Sequence, residues 1–205
     1  YIAHRARGTV SQRFAGLNTV EIAEVLDVAC HAVGADFTLS GGRDSSLRGL
    51  GIDNHQDYPY RVVVRDLPID FDDDGENRRT LIRTPAGDVF THLHQSKQMA
   101  RDGISLPFVK AYAIRSTDDF EAVAQIFEHL EVIPTPESYA AFQRRVGERG
   151  IAVARGPVAA SPMHLILHEL VAMDQFFYLY MDEREALYRL TERMEPFFDA
   201  ALNAL

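Results

Sequence analysis

The chain has 205 residues, 46% of them hydrophobic, 25% charged and 10% aromatic, close to an average soluble globular protein and long enough to bury a full core. Thirty acidic against twenty-one basic residues leave a formal charge of -9, so the mean field repels phosphate backbones and anionic lipid heads and argues against a nucleic acid or a membrane as partner. The single cysteine, Cys30, excludes an internal disulfide and a zinc site of paired cysteines; with no signal pattern and no apolar run near the roughly 20 residues a bilayer requires, a cytoplasmic protein is expected.

Asn18 and Glu21 have the spacing of a capping box, and Ile22, Val25, Leu26, Ala29 and Val33 follow at helical period, which predicts a helix with one buried face and a stop at Gly34. Cys30 falls on that face and reads as a small core residue rather than a nucleophile. Residues 36–40 read as a short strand that breaks at Gly41 and Gly42. From 58 to 95 the period changes to two: a Val62-Val63-Val64 run, a turn at 72–75, a strand through 80–83, a turn at Pro85-Ala86-Gly87 and a third strand at 88–95 predict an antiparallel β-meander. The acids Asp70, Asp72, Asp73 and Asp74 lack the spaced ligands of a calcium loop and read as a solvated hairpin turn.

Residues 108–114 read as extended, and Ser116 or Thr117 caps a helix carrying Phe120, Val123, Ile126, Phe127 and Leu130. Thr135-Pro136 opens another helix that ends near Gly147. The run 151–154 is uniformly apolar, the pattern of a strand buried on both faces of a parallel sheet. It ends at Arg155-Gly156, and Ser161-Pro162 starts the next helix. That junction of strand end and helix start is where α/β folds bind ligands. The stretch 174–205 reads as helical almost throughout, with Pro196 expected to kink or restart it.

Several of these segments together resemble the uroporphyrinogen decarboxylase superfamily. They are Gly34-Ala35-Asp36-Phe37, the hairpin Arg83-Thr84-Pro85-Ala86-Gly87, the Pro-x-x-Tyr-x-x-Phe pattern from Pro136 to Phe142, the strand 151–154 with Gly156 and Ser161-Pro162, the aromatic run 176–180, and Asp182-Glu183-Arg184-Glu185. The resemblance implies an α/β fold of the (β/α)8 TIM type, which takes about 250 residues. A chain of 205 that begins at Tyr1 and is still apolar-periodic at Leu205 then reads as a partial barrel: one incomplete domain over 1–205, with the meander of 58–95 inserted. An uncovered barrel core predicts self-association and hence a homo-oligomer.

The resemblance also implies an enzyme that decarboxylates a tetrapyrrole with carboxylate side chains and needs no cofactor. The superfamily's other branch implies a corrinoid-linked, cobalamin-dependent methyltransferase with zinc and a corrinoid partner. A non-catalytic ligand-binding module is the third reading, because Ser40-Gly41-Gly42 stands where the family places a strand-end aspartate, with Asp44 a few residues later. His4-Arg5-Ala6-Arg7-Gly8 supplies charge without the spacing of the family's arginine motif. The family's tyrosine position falls on His168, which makes His168 the candidate catalytic residue, and Arg155, Gly156, Ser161 and His164 the candidate substrate-binding residues.

His164 and His168 stand four apart, so both imidazoles share a helix face and suit either zinc chelation, a polar pocket lining or an ordinary helix surface. His92 and His94 share a strand face and suit chelation or a solvated meander surface. Arg155 suits a substrate carboxylate or a salt bridge at the barrel rim. The aromatics at 176–180 suit core packing or a stacking surface for a macrocycle.

Overall fold

The computed structural model describes residues 2–28, 32–35, 42–154, 156, 157 and 159–205. Cys30, Arg155 and the strand expected at 36–40 lie outside them. The chain opens with helices α1 (Ile2–Arg7) and α2 (Thr19–Val25). Asn18 Oδ1 accepts the Val20 and Glu21 N–H groups at 2.9 and 3.0 Å, while the Glu21 carboxylate accepts the Asn18 N–H at 2.7 Å. The capping box is therefore complete. The helix is shorter than its period suggested, because Asp27 turns to φ +52° and Ala32–Val33 is already strand β1. Its buried face is not present either, since Val25 and Leu26 are exposed.

Two short 3-10 turns, Gly42–Ser45 and Arg48–Leu50, lead to β2 (Tyr60–Val64). Strands β3 (Ile69–Asp73), β4 (Asn77–Thr84) and β5 (Gly87–His94) follow, then α3 (Lys97–Arg101) and β6 (Phe108–Ala111). Next come α4 (Phe120–Glu128), β7 (Leu130–Pro134), α5 (Pro136–Val146) and β8 (Ile151–Ala152). Helix α6 (Pro162–Leu165) runs into a π-helical turn, Ile166–Leu170, and α7 (Met173–Asp182) and α8 (Arg184–Asn203) complete the chain. Pro196 lies inside α8 without interrupting it, and the break in this helical stretch comes at Glu183 instead.

Among the described residues three small sheets form: β1 with β8, β2 with β7, and the four-stranded meander β3-β4-β5-β6. A TIM-type barrel requires a ring of parallel strands. Among the described residues only β1 and β8 pair in parallel, over two residues each, besides one isolated parallel bridge from Ile114 to Val171. All other strand pairings are antiparallel. The expected partial (β/α)8 barrel is thereby overturned, and its root was the run 151–154. Ile151 is 63% exposed and Val153 is exposed as well, so uniform apolarity there does not mark a central strand. The Val62-Val63-Val64 strand likewise leaves the meander and pairs with β7, a strand hidden by reading Leu130 as the end of the preceding helix's apolar face.

The main core gathers Val62, Ile82, Val89, Val123, Ile126, Leu165, Leu170, Leu187 and Met194. Helix α4 lies against α8 with Val123, Ile126 and Phe127 buried, and Phe127 meets Phe197 edge to face at 5.7 Å. Arg193 of α8 closes the rim, donating to Glu121 and Glu128 at 2.6 Å each. A second, smaller core of Val33, Phe142 and Val146 joins α5 to the β1–β8 pair.

The edge of β2 away from β7 is finished by a side chain. Buried Asn54 accepts the Val62 N–H on Oδ1 and donates from Nδ2 to the Val62 carbonyl, both at 2.8 Å, and so stands in for a strand neighbour. Asn54→Ala leaves both backbone groups buried and unpaired. The expected loss is about 2 kcal/mol or more, read as a lower urea midpoint at unchanged slope.

Candidate functional site

The 3-10 turn Arg48–Leu50 is wedged between β5 and the helical segment that follows Ser161, and two glycines allow it. A Cβ on Gly49 would lie 2.2 Å from Thr91 Oγ1. Gly51 has φ +71°, and its Cβ would lie 2.5 Å from Leu165 Cδ1 and 2.8 Å from Glu169 Cγ. This close passage brings Arg48 against two carboxylates: Nη1 donates to Glu169 Oε2 at 2.7 Å, and Nε lies 3.4 Å from Asp53 Oδ1. Glu169 comes from the π-helical turn, whose wider winding re-aims side chains relative to the helix before it. Burial works against the Arg48 charge, but Asp53, Glu169 and Tyr58 outweigh it and hold the guanidinium above its usual range.

Beside this cluster lies a small cleft with Asp53, Tyr58, Tyr60, Gly156, Pro157 and Leu165 in its walls. In its present shape it admits a water molecule and not a macrocycle. Burial, with Tyr58 adding to it, pushes the Tyr60 phenol up to about 12. At neutral pH Tyr60 therefore offers a hydrogen-bond donor and not a base.

The sequence-predicted residues divide around this cleft. Gly156 is in its wall, whereas Arg155 lies outside the described residues. Ser161 caps α6, its Oγ accepting the His164 N–H at 3.3 Å. His164 and His168 do share a face, with ring centroids 4.5 Å apart and planes at 87°, but both are exposed and neither is among the cleft-lining residues. His164 Nδ1 accepts the Ala160 N–H at 3.3 Å, which leaves the ring proton on Nε2. No group of three His, Cys, Asp or Glu side chains comes together among the described residues. His164 and His168 by themselves would supply two of the four ligands that a structural zinc takes.

His92 and His94 converge on one acceptor. His92 Nε2 and His94 Nδ1 each lie 3.0 Å from Asn77 Oδ1, and the Asn77 amide nitrogen donates in turn to Asp74. Burial, then Arg79, Lys110 and His94, lower the proton affinity of His92. This fits the surface reading of the pair better than chelation. Of the acidic run only Asp74 lies in the turn, since Asp70, Asp72 and Asp73 belong to β3; Asp74 Oδ1 accepts the Asn77 and Glu76 N–H groups at 2.7 and 3.0 Å, and these bonds hold its carboxyl well below the usual range. In the aromatic run, Phe176 and Leu179 pack inward while Phe177 and Tyr178 are exposed.

Arg48, Asp53, Tyr58, Tyr60 and Glu169 escaped the sequence reading. The one local signal was Gly49-Leu50-Gly51 beside an arginine, a pair of glycines that marks close backbone approach. Comparison with protein-family models, with curated proteins and with solved structures finds no match to this chain. No helix among the described residues is long and apolar enough to cross a membrane.

Proposed function

We propose that the chain forms part of a cytoplasmic enzyme of the uroporphyrinogen decarboxylase kind, and that the cleft beside Gly156 takes a tetrapyrrole bearing carboxylate side chains. One observation carries this reading. The loop that leaves β8, a strand paired in parallel with β1, walls the cleft at Gly156 and Pro157 and then runs into the Ser161 cap of α6. Strand end, glycine loop and small-residue-plus-proline helix start thus occur in the order the resemblance implies. In this reading Arg155 pairs with a substrate carboxylate, the polar wall of Asp53, Tyr58 and Tyr60 faces the macrocycle, and no cofactor is required. The cleft must widen to accept it.

A corrinoid-linked methyltransferase is the second reading, favoured by the His164–His168 contact. Fluorescence titration with uroporphyrin and absorbance titration with hydroxocobalamin separate the two. Saturable porphyrin binding is expected, weakened roughly ten- to a hundredfold by Arg155→Ala, the range for a hydrogen bond to a charged group. Arg144→Ala, on the exposed side of α5, should leave it unchanged. Binding of the corrinoid alone would select the second reading, and binding of neither would reject both.

A further inference from the structure

Helix α7 carries apolar side chains on two faces, and one of these faces is open. Phe176 and Leu179 are buried in the main core. Met173, Phe177 and Met181 stand four residues apart on the other side, so they line up along the helix, at 65, 57 and 71% exposure. Tyr178, 66% exposed, lies beside this stripe. Exposed Tyr188 of α8 borders it on the opposite flank, where its hydroxyl is bonded to that of Tyr180. Among the described residues no large apolar side chains are more exposed than Met181, Tyr178 and Met173.

The centre of the stripe is held from beneath. Phe177 meets buried Phe176 edge to face at 5.7 Å, Phe176 stacks on Tyr180 at 6.0 Å, and the Arg184 guanidinium lies 4.8 Å from the Tyr180 ring centroid. An aromatic already set in place loses little side-chain entropy when a surface closes over it. The methionines at either end are the adaptable parts.

We propose that this face docks a second copy of the chain, with the two α7 helices antiparallel about a two-fold axis at Phe177. Two observations single out a second copy. The pattern Met-x-x-x-Phe-x-x-x-Met reads the same in both directions, so the two-fold sets Phe177 on Phe177 and Met173 on Met181 twice over, as an isologous contact demands. The size also fits. A large side chain carries about 150–250 Å², so the five exposed ones offer on the order of 500–600 Å² per copy. Pairing then buries roughly 1,000–1,200 Å², where specific interfaces begin. None of the residues that line the cleft belongs to α7, so the contact stands whichever ligand the cleft takes.

Sedimentation equilibrium of the 205-residue chain should show a reversible association of two 23.0 kDa copies, with a dissociation constant on the order of micromolar for an interface this small. Phe177→Asp should weaken it about thirtyfold or more, the effect of losing a central aromatic anchor, and leave the urea midpoint of dilute protein unchanged. Phe108→Ser removes a ring just as exposed from β6 and should leave the dimer intact. Asp174 and Asp182 form a line with Tyr178 that the two-fold sets against its own counterpart, so raising NaCl from about 50 to about 500 mM should tighten the pairing. For the register, Met173→Cys and Met181→Cys proteins, each also carrying Cys30→Ser, are mixed and treated with a short bismaleimide. The mixture should cross-link well beyond either protein alone. A chain still monomeric at about 100 μM, an association indifferent to Phe177→Asp or weakened by salt, or cross-links that join like positions would overturn the proposal.

Discussion

Gly51→Ala is expected to destabilise the protein by about 2 to 5 kcal/mol. A left-handed backbone costs a residue with a Cβ roughly 1–2 kcal/mol, and overpacking a filled core adds about 1–3. Both terms apply, because φ is +71° and the new methyl would press on Leu165, itself fully buried, and on the Glu169 stem. Gly75→Ala at the tip of the β3–β4 hairpin isolates the first term, since its φ is +88° and nothing lies within 4 Å of an added Cβ. Urea unfolding of the two variants should therefore differ by the steric part alone. Equal losses would mean that the turn at Gly51 is not pressed against the π-helical segment.

Arg48→Met should cost about 3 to 5 kcal/mol, the range for removing one partner of a buried ion pair. The methylene stem is kept, so the loss reports the two carboxylates left behind rather than a cavity. Side-chain exposures of 14% for Arg48, 16% for Glu169 and 25% for Asp53 keep solvent from screening them fully. A triple variant with Asp53→Asn and Glu169→Gln should recover much of the loss at neutral pH. A triple variant no more stable than the single one would show that the carboxylates are not the source of the loss.

The features legible in the sequence are those whose causes are local. The Asn18–Glu21 box, the Ser161 cap, Pro136 at a helix start and the hairpin turns of the meander each depend on residues within four positions, and each is found in the structure. Pairing was not legible. Nothing near Val62 says that its partner is Val132 rather than a neighbour in the meander, and the apolar run 151–154 cannot announce that the sheet beside it stops after two residues. The cluster at the cleft is harder still, because Arg48 and Glu169 are 121 positions apart. Glu169 reaches it only through a π-helical turn that helical periodicity does not foretell.

Strand β3 is the last strand on its side of the meander, and its residues alternate in a way that bears on how copies of this protein meet. Asp70 and Asp72 sit on one face beside Arg83 and Arg79, and Asp73 follows on the other beside Arg78. Each arginine comes from β4 of the same chain, so the charge is answered internally and not across the open edge. A second β3 approaching that edge in an antiparallel register would set acid against acid. Like charge thus guards the edge against cross-β stacking. The guard lasts only while the carboxylates are ionised, so strongly acidic solution is where fibrils seeded from this strand should first form.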